Sequence, residues 1–268
     1  MIFGEKFYPA LSRLSPWRQS LYALVLAQRQ FPNFALWASM GENRAAVSAF
    51  NEALKALWNF HQDKFNHVNL EVELSKLDPF IPEPEAEEED VSVGTLMAIN
   101  AMTTLTAAFD AILMKEGNEA EIASKSSLSC VVLTCEQASD EELDDDALRE
   151  MEAVDNEVNF QVSLYELLSG AKREKDLNLF LLKLAFKERL SNVGISYEDA
   201  GIEEITAESY RLPDTLLKEH AKKASVAREK REAAAAKAEA QGHKVYRGVK
   251  PGAGREKRRR RDVKRTLR

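Results

Sequence analysis

The chain has 268 residues, of which 44% are hydrophobic and 30% are charged, and its formal net charge is −7. A chain of this length and composition can bury a core in one or two domains, which excludes a wholly disordered protein. Its two cysteines exclude a disulfide framework, and we expect a cytoplasmic protein because no signal peptide follows Met1.

The charge is unevenly distributed along the chain. After Tyr210 there are 20 Lys and Arg residues and 7 Asp and Glu residues, a net charge of +13. Because the whole chain has 37 basic and 44 acidic residues, positions 1–210 hold 17 and 37 of them, a net charge of −20. The chain therefore joins an acidic body to a basic C-terminal region, and such an asymmetry is typical of an interaction tail.

The first forty residues contain helix signals and one stop signal. Ser15 and Pro16 match the N-cap and first position of a helix, and apolar residues then recur at helical spacing from Trp17. Pro32 predicts the end of that helix, because proline has no N–H to donate to the preceding turn. A short helix follows through Met40. Further helices are predicted over about 44–61, 70–77, 119–136, 149–168 and 175–190.

The stretch 91–114 is strongly apolar, and Asp110 is its only charge. Large apolar residues recur every three or four positions, which predicts a helix, and a second stripe of small residues would let a neighbouring backbone approach closely. We expect this helix to be buried at the centre of a bundle. A membrane span is the alternative, but Asn100, Asp110 and four threonines would be costly in hydrocarbon, so we expect no membrane contact.

The predicted fold is all-α, because no sustained alternation of polar and apolar residues indicates strands. We expect a compact multi-helix bundle around the buried helix at 91–114, followed by an exposed helix and a disordered basic tail. We assign 1–196 to the helical domain, 197–212 to a linker, 213–241 to a solvated charged helix and 242–268 to the tail. The charged helix is rich in Ala, Lys, Glu and Arg and has few apolar anchors, so it can bury little surface.

Six short motifs are spread through positions 1–196. They are Leu11-x-x-Leu14-Ser15-x-Trp17, Pro32-Asn33, Ala98-Ile99-x-Ala101, Ser124-Lys125-x-Ser127, Asp140-Glu141-Glu142-Leu143 and Asn192-Val193-Gly194-Ile195. Their order and spacing resemble those of the YjaG family, a bacterial domain of unknown function. The resemblance implies a compact all-helical cytoplasmic protein, and it supplies no established activity and no catalytic residues. The stretch after about Tyr197 lies outside the family pattern.

No pattern in the chain matches a catalytic, phosphate-binding or dinucleotide-binding motif. His61 and His67 are six positions apart, which would place them on different sides of one continuous helix and not together on a metal. We expect both histidines at boundary or surface positions. Cys130 and Cys135 are expected to be small buried residues. We therefore predict no catalytic residue, no metal and no cofactor, and we expect a non-enzyme.

Asp110 is the ionisable group that the sequence places in an apolar helix. Because burial shifts a carboxyl pKa toward catalytic use, an unrecognised enzyme site would lie near Asp110 or Asn100. A structural pairing of Asp110 with a Lys or Arg is the alternative. Lys125, beside Ser124 and Ser127, has two interpretations as well: an anion site, or a plain capping and surface role.

The last fourteen residues, 255–268, form a basic segment that we name the C-terminal arm. Neutralising phosphates with Lys and Arg releases counterions whatever the base sequence, so the arm predicts RNA or DNA binding without sequence specificity. The alternatives are a tail folded against the protein's own acidic residues and a tail without a specific role. The predicted nucleic-acid-binding residues are Arg255, Lys257, Arg258, Arg259, Arg260, Arg261, Lys264, Arg265 and Arg268.

Three functional hypotheses follow from these observations. The first is a non-enzymatic binding or adaptor module whose basic arm contacts nucleic acid. The second is an enzyme with an unrecognised site near the central helix. The third is a structural homo-oligomer in which the tail of one chain docks on the acidic loops of another.

Overall fold

The computed structural model describes residues 2–63, 65, 68–83, 91–139 and 143–240. The chain divides into two compact units, Met1–Asp214 and Thr215–Arg268, and we call the first unit the body. Ten α-helices and no β-strand occur in the described residues, which confirms the predicted all-α fold. The helices are α1 (Phe7–Leu11), α2 (Pro16–Met40), α3 (Arg44–Gln62), α4 (Leu70–Ser75), α5 (Val93–Leu113), α6 (Glu119–Ser139), α7 (Asp145–Glu150), α8 (Glu152–Gly170), α9 (Lys175–Ala185) and α10 (Asp214–Ala240).

Helix α2 lies at the centre of the body, and α3, α5, α6, α8 and α9 pack around it. Seventeen of its residues are buried. The prediction that this helix ends at Pro32 was wrong, because the helix continues to Met40. Proline leaves the carbonyl of Gln28 without its N–H partner four residues later. The hydroxyl of Tyr197 donates a long hydrogen bond of 3.4 Å to that carbonyl and partly replaces the missing bond.

Helix α5 confirms the helix predicted over 91–114 within two residues at each end. Ser92 caps it, since its hydroxyl oxygen accepts the backbone N–H of Thr95 at 3.1 Å. The side of α5 that faces α2 and α6 is buried, whereas the side that carries Thr103, Thr106 and Asp110 is half-exposed. By length and composition alone α5 could cross a membrane, but 56% of its apolar window is buried inside the body.

Residues 197–212 were predicted to form a linker, but the structure packs this segment into the core of the body. Tyr197, Ile202 and Tyr210 are almost fully buried, and they join the same apolar cluster as α2, α3 and α5. The side chain of Gln62 accepts the N–H of Leu212 at 3.1 Å and donates to the carbonyl of Tyr210 at 2.7 Å. The segment therefore belongs to the body, because its apolar side chains fill space that α2, α3 and α9 leave open.

Two predicted helix boundaries also differ from the structure. The helix expected over 149–168 is two helices, α7 and α8, because Met151 has an extended conformation with φ −76° and ψ 123°. Leu148 before this break and Val154 after it both enter a small second apolar cluster with Phe3. The helix expected to reach 190 ends at Ala185, and the chain then turns through Arg189, which has a positive φ of 52°.

Helix α10 matches the predicted solvated helix. Its described side chains are mostly exposed, and no member of the main core cluster lies on it. Lys223 pairs with Glu219 at 2.6 Å, and Arg228 pairs with Glu232 at 2.8 Å, both with the i,i+4 spacing that supports a helix in water. The C-terminal arm lies outside the described residues.

Candidate binding groove beside helix α5

The structure places the sequence-predicted residues in two different situations. All nine predicted nucleic-acid-binding residues of the C-terminal arm, Arg255 to Arg268, lie outside the described residues, so nucleic-acid contact stays a prediction. His67 lies outside them as well. The other candidates, including Asp110, Asn100, His61 and Lys125, lie in the body and are described below.

A groove of about 470 Å³ lies beside α5, and we call it the α5 groove. Its walls come from one face of α5, from the segment before it, and from the turn and helix after it. Its lining is mostly apolar, and a volume of this size falls in the range of small-molecule sites. The lining residues are Ile81, Pro82, Ile99, Met102, Thr103, Thr106, Ala107, Asp110, Met114, Glu116, Asn118, Glu119 and Ile122.

The α5 groove has a rigid end formed by residues 116–120. The Glu119 carboxylate accepts the backbone N–H groups of Glu116 at 2.6 Å and Gly117 at 2.9 Å. Gly117 has a φ of +98°, which a residue with a side chain adopts only with strain. Gln19 of α2 donates to the carbonyl of Gly117 and accepts the N–H of Ala120, so the turn is tied to the centre of the body.

Asp110 lies on the wall of the α5 groove and is half-exposed, whereas we expected it to be buried. Desolvation raises the pKa of its carboxyl group, and the nearby acids Glu119 and Glu116 raise it further. No described donor bonds to its carboxylate, so the predicted pairing with Lys or Arg is not seen in the described part of the chain. Asn100 does not line the groove, and the two residues singled out on this helix therefore do not form one site.

Glu157 on α8, like Asp63 and Glu119, is a buried carboxylate of the body, and sequence reasoning missed it. It is 1% exposed and pairs with Arg29 of α2 at 2.8 Å. It also accepts the hydroxyl of Ser127 at 2.6 Å and the amide of Gln161 at 2.8 Å. A signal was available in the sequence, since Glu157 and Gln161 lie on the apolar face of α8 between Val154 and Leu164.

Ser124 and Ser127 serve this buried network and not an anion site at Lys125. Ser124 donates to the side chain of Gln161 at 2.5 Å, and Tyr22 donates to the same oxygen at 2.9 Å. Lys125 points to solvent and pairs with Glu121 at 2.6 Å. The surface interpretation of Lys125 therefore agrees with its position.

His61 is fully buried, contrary to the expected boundary or surface position, and it contacts Ser20 of α2. The Ser20 hydroxyl lies 2.9 Å from His61 Nε2 and 2.7 Å from the carbonyl of Ala108. A carbonyl only accepts, so the hydroxyl proton goes to Ala108 and His61 Nε2 must donate to Ser20. This polarity is the reverse of a nucleophile activated by a histidine base. Burial lowers the pKa of His61 to about 3, with a further contribution from Arg173.

The two cysteines are buried and free, as expected. Burial raises the pKa of the Cys130 thiol to about 12, so this thiol is protonated at neutral pH and unreactive. Within the described residues, no group of three or more His, Cys, Asp or Glu side chains is arranged to hold a metal ion.

A second cavity, of about 830 Å³, lies between α3 and residues 201–205. Its lining is mainly polar, and it includes one basic residue, Arg44, together with the acids Glu42 and Glu204. This mixed set of charges favours no single class of ligand. The α5 groove is the better defined of the two, because its charges all have one sign.

Comparison with known proteins identifies the family of the body. The family described as a protein of unknown function, DUF416, matches residues 6–196. This chain belongs to the DUF416 family. The match confirms the resemblance inferred from the six motifs, because relatives in this family include the protein YjaG of Escherichia coli K12, which is 27% identical over 192 residues.

The relatives of this DUF416 protein share its body and are matched almost end to end. An uncharacterized protein of Haemophilus influenzae is 29% identical over 189 residues, which cover 70% of this chain and 95% of that protein. The crystal structure of a DUF416 family protein from Shewanella baltica OS155 is 29% identical, with a TM-score of 0.63, and the match covers 71% of this chain and 98% of that one. The basic region of this chain thus lies beyond the DUF416 match.

Proposed function

We propose that this protein is a cytoplasmic, non-enzymatic binding module whose DUF416 body is brought to RNA or DNA by the C-terminal arm. The single observation that carries the proposal is where the charge lies relative to the family boundary. Residues 1–210 have a net charge of −20, whereas the region after Tyr210 has +13 and lies beyond the match at 6–196. The region that this chain has in addition to its relatives is thus the region suited to a polyanion.

The composition of the arm suits phosphate contacts without base recognition. Nine of its fourteen residues are Lys or Arg, and only Glu256 and Asp262 are acidic. Each phosphate neutralised releases counterions, so binding should be strong at low salt and fall steeply as salt increases. The acidic body would be repelled by the same phosphates, which would leave the arm as the point of contact.

The non-enzymatic part of the proposal is supported by the chemistry of the buried polar groups. Ser20 and His61 are hydrogen-bonded in the wrong sense for nucleophilic catalysis, and the Cys130 thiol stays protonated because burial raises its pKa to about 12. The carboxylate of Glu157 is already bonded to Arg29, Ser127 and Gln161. None of these groups has the exposure or the polarity that catalysis needs.

The test is a titration of full-length protein into labelled RNA and duplex DNA at several salt concentrations. Replacing Arg258, Arg259, Arg260 and Arg261 by Gln should reduce the salt slope of log K by up to about 3 to 4, since each phosphate contact contributes roughly 0.7 to 0.9. The fold of the body should be unchanged, because the four residues lie far along the chain beyond the family match.

The matched control carries the same loss of four charges on α10. Lys218, Lys222, Lys230 and Arg231 are exposed, and their replacement by Gln should reduce binding much less than the arm variant does. Equal losses in the two variants would mean that overall charge, and not the arm, drives binding. Undiminished binding by the arm variant would contradict the proposal.

A further inference from the structure

The α5 groove combines an apolar lining with a concentration of negative charge. Five of its lining residues on α5, Ile99, Met102, Thr103, Thr106 and Asp110, follow helical spacing, so these side chains form one continuous wall. Four of these five side chains are uncharged, and the carboxylate of Asp110 stands at one end. An apolar wall with one charge at its end suits a ligand with an apolar body and a charged group.

The rim of the α5 groove is unusually apolar for a protein surface. Met114 is 63% exposed, Ile81 is 52% exposed and Ile122 is 37% exposed, and all three line the groove. Scattered exposed hydrophobic residues need no explanation, but a cluster around one cavity marks a binding surface. Contact with an apolar ligand would remove this surface from water.

The charge of the α5 groove is not neutralised by its own lining. Asp110, Glu116 and Glu119 line it, and no Lys, Arg or His is among the lining residues that the structure describes. Glu119 is buried, and two backbone N–H groups hold its carboxylate in place at this end of the groove. Lys115 follows Met114 in the chain, but its side chain is exposed and does not line the groove.

We propose that the α5 groove binds a small organic cation, with an ammonium or guanidinium group beside Asp110 and an apolar body between Ile99 and Ile122. A cation at Asp110 relieves the repulsion among the three carboxylates, whereas a neutral ligand leaves it in place. An anionic ligand would add to it. The size of the groove, about 470 Å³, accommodates a molecule of this class.

The experiment is isothermal titration calorimetry of full-length protein with 4-phenylbutylamine, which is a cation at neutral pH. The uncharged analogue 4-phenylbutanol has nearly the same shape and tests the role of charge. We expect the amine to bind at least about tenfold more tightly than the alcohol, a ratio that corresponds to one well-placed ion pair.

Two variants locate the binding. Asp110→Asn keeps the shape of the side chain. It should weaken binding of the amine at least about tenfold and leave the affinity for the alcohol unchanged. The variant should fold, because it removes a charge that Glu116 and Glu119 repel. Ile122→Ala should weaken both compounds. The matched control is Glu166→Gln on α8, an exposed acid that does not line the groove, and it should bind the amine as the parent protein does.

A pH series adds an independent measurement. Desolvation and the neighbouring acids Glu119 and Glu116 raise the pKa of Asp110, so amine affinity should fall as the pH falls through that raised value. The Asp110→Asn variant should lack this part of the pH dependence.

Three results would overturn the proposal. One is no binding of the amine at millimolar concentration. Another is equal affinity, either of the parent protein for the amine and the alcohol, or of the parent and Asp110→Asn proteins for the amine. The third is self-association of the full chain that Met114→Glu abolishes while the amine has no effect on it. That result would assign the groove to a second copy of the chain.

Discussion

Helices α2 and α10 are similar in length, 25 and 27 residues, but they are stabilised in different ways. Helix α2 contains a proline and many buried polar residues, and it persists because other elements pack around it on most sides. Helix α10 has high intrinsic propensity, and pairs such as Lys223–Glu219 support it in water. The comparison shows that packing can preserve a helix that its local sequence would end.

The polar side chains of α2 connect it to different parts of the body. Gln19 bonds to the turn before α6, Ser20 to α5, Gln30 to Thr104 of α5, and Asn33 to Asn192. The α2 side chain of each bond is buried, and a buried polar group left unpaired is expensive. These bonds therefore fix how the neighbouring helices are placed against α2. The ion pairs on α10, in contrast, act within one helix.

The largest effect should come from breaking the buried ion pair of α2. Glu157→Ala leaves Arg29, 16% exposed, without its charge partner, and should lower the free energy of unfolding by about 3–5 kcal/mol. Urea denaturation with tryptophan fluorescence measures it. The matched control, Glu232→Ala, removes the partner of Arg228 on α10 and should leave the unfolding of the body unchanged. Similar losses of unfolding free energy in both variants would show that burial does not make the Arg29–Glu157 pair more stabilising than the exposed pair.

His61 should make the stability of the body depend on pH. Its folded pKa is about 3, against 6.5 for the free side chain, so only the unfolded state takes up a proton as the pH falls below 6.5. This group should therefore reduce stability by up to about 1.4 kcal/mol per pH unit between 6.5 and about 3. Denaturation at a series of pH values should show a shallower slope for His61→Gln.

The control for this pH experiment is His220 on α10. It lies in the second compact unit and outside the core clusters of the body, so His220→Gln should leave the unfolding of the body unchanged. The dependence of unfolding free energy on pH could have the same slope from pH 6.5 to 4 in the parent protein and in His61→Gln. That result would show that His61 is protonated in the folded state.

A smaller loss of stability should follow from removing the hydrogen bond between Tyr197 and the carbonyl of Gln28 that Pro32 leaves free. Tyr197→Phe removes the hydroxyl that approaches the free carbonyl of Gln28 at 3.4 Å and the amide of Gln28 at 3.3 Å. We expect a loss of about 1–2 kcal/mol, because a buried acceptor is left unsatisfied. In a Pro32→Ala background the loss should be smaller, since the residue at 32 then supplies the missing N–H. Equal losses in both backgrounds would exclude this coupling.

The smallest effect on the body should come from weakening α10 itself. Ala233→Gly and Ala234→Gly lie in an exposed helix interior, where each substitution disfavours the helix by roughly 1 kcal/mol. Circular dichroism should show a loss of helix content, while the thermal unfolding of the body stays the same. A lowered melting temperature of the body would show that α10 contributes to its stability.

Local sequence determined the elements with a strong and continuous pattern. Helix α5 was predicted within two residues because its apolar stripe is long and its neighbours are polar, and α10 because its composition favours helix and offers no apolar face. The family of the body also followed from the order and spacing of short motifs, although the overall identity to the relatives is only about 27–29%. The charge division at Tyr210 needs no structure at all.

Only the tertiary structure decided where polar and interrupted segments go. Pro32 stays within α2 because Tyr197, distant in sequence, replaces part of the lost bond. Residues 197–212 become core because their apolar side chains pack into the same cluster as α2, α3 and α5. Glu157 is buried, whereas Asp110 is half-exposed, because Arg29, Ser127 and Gln161 converge on Glu157 from three helices. The α5 groove exists only where separate segments meet. Such outcomes depend on partners that are far apart in the chain, and local propensity does not record them.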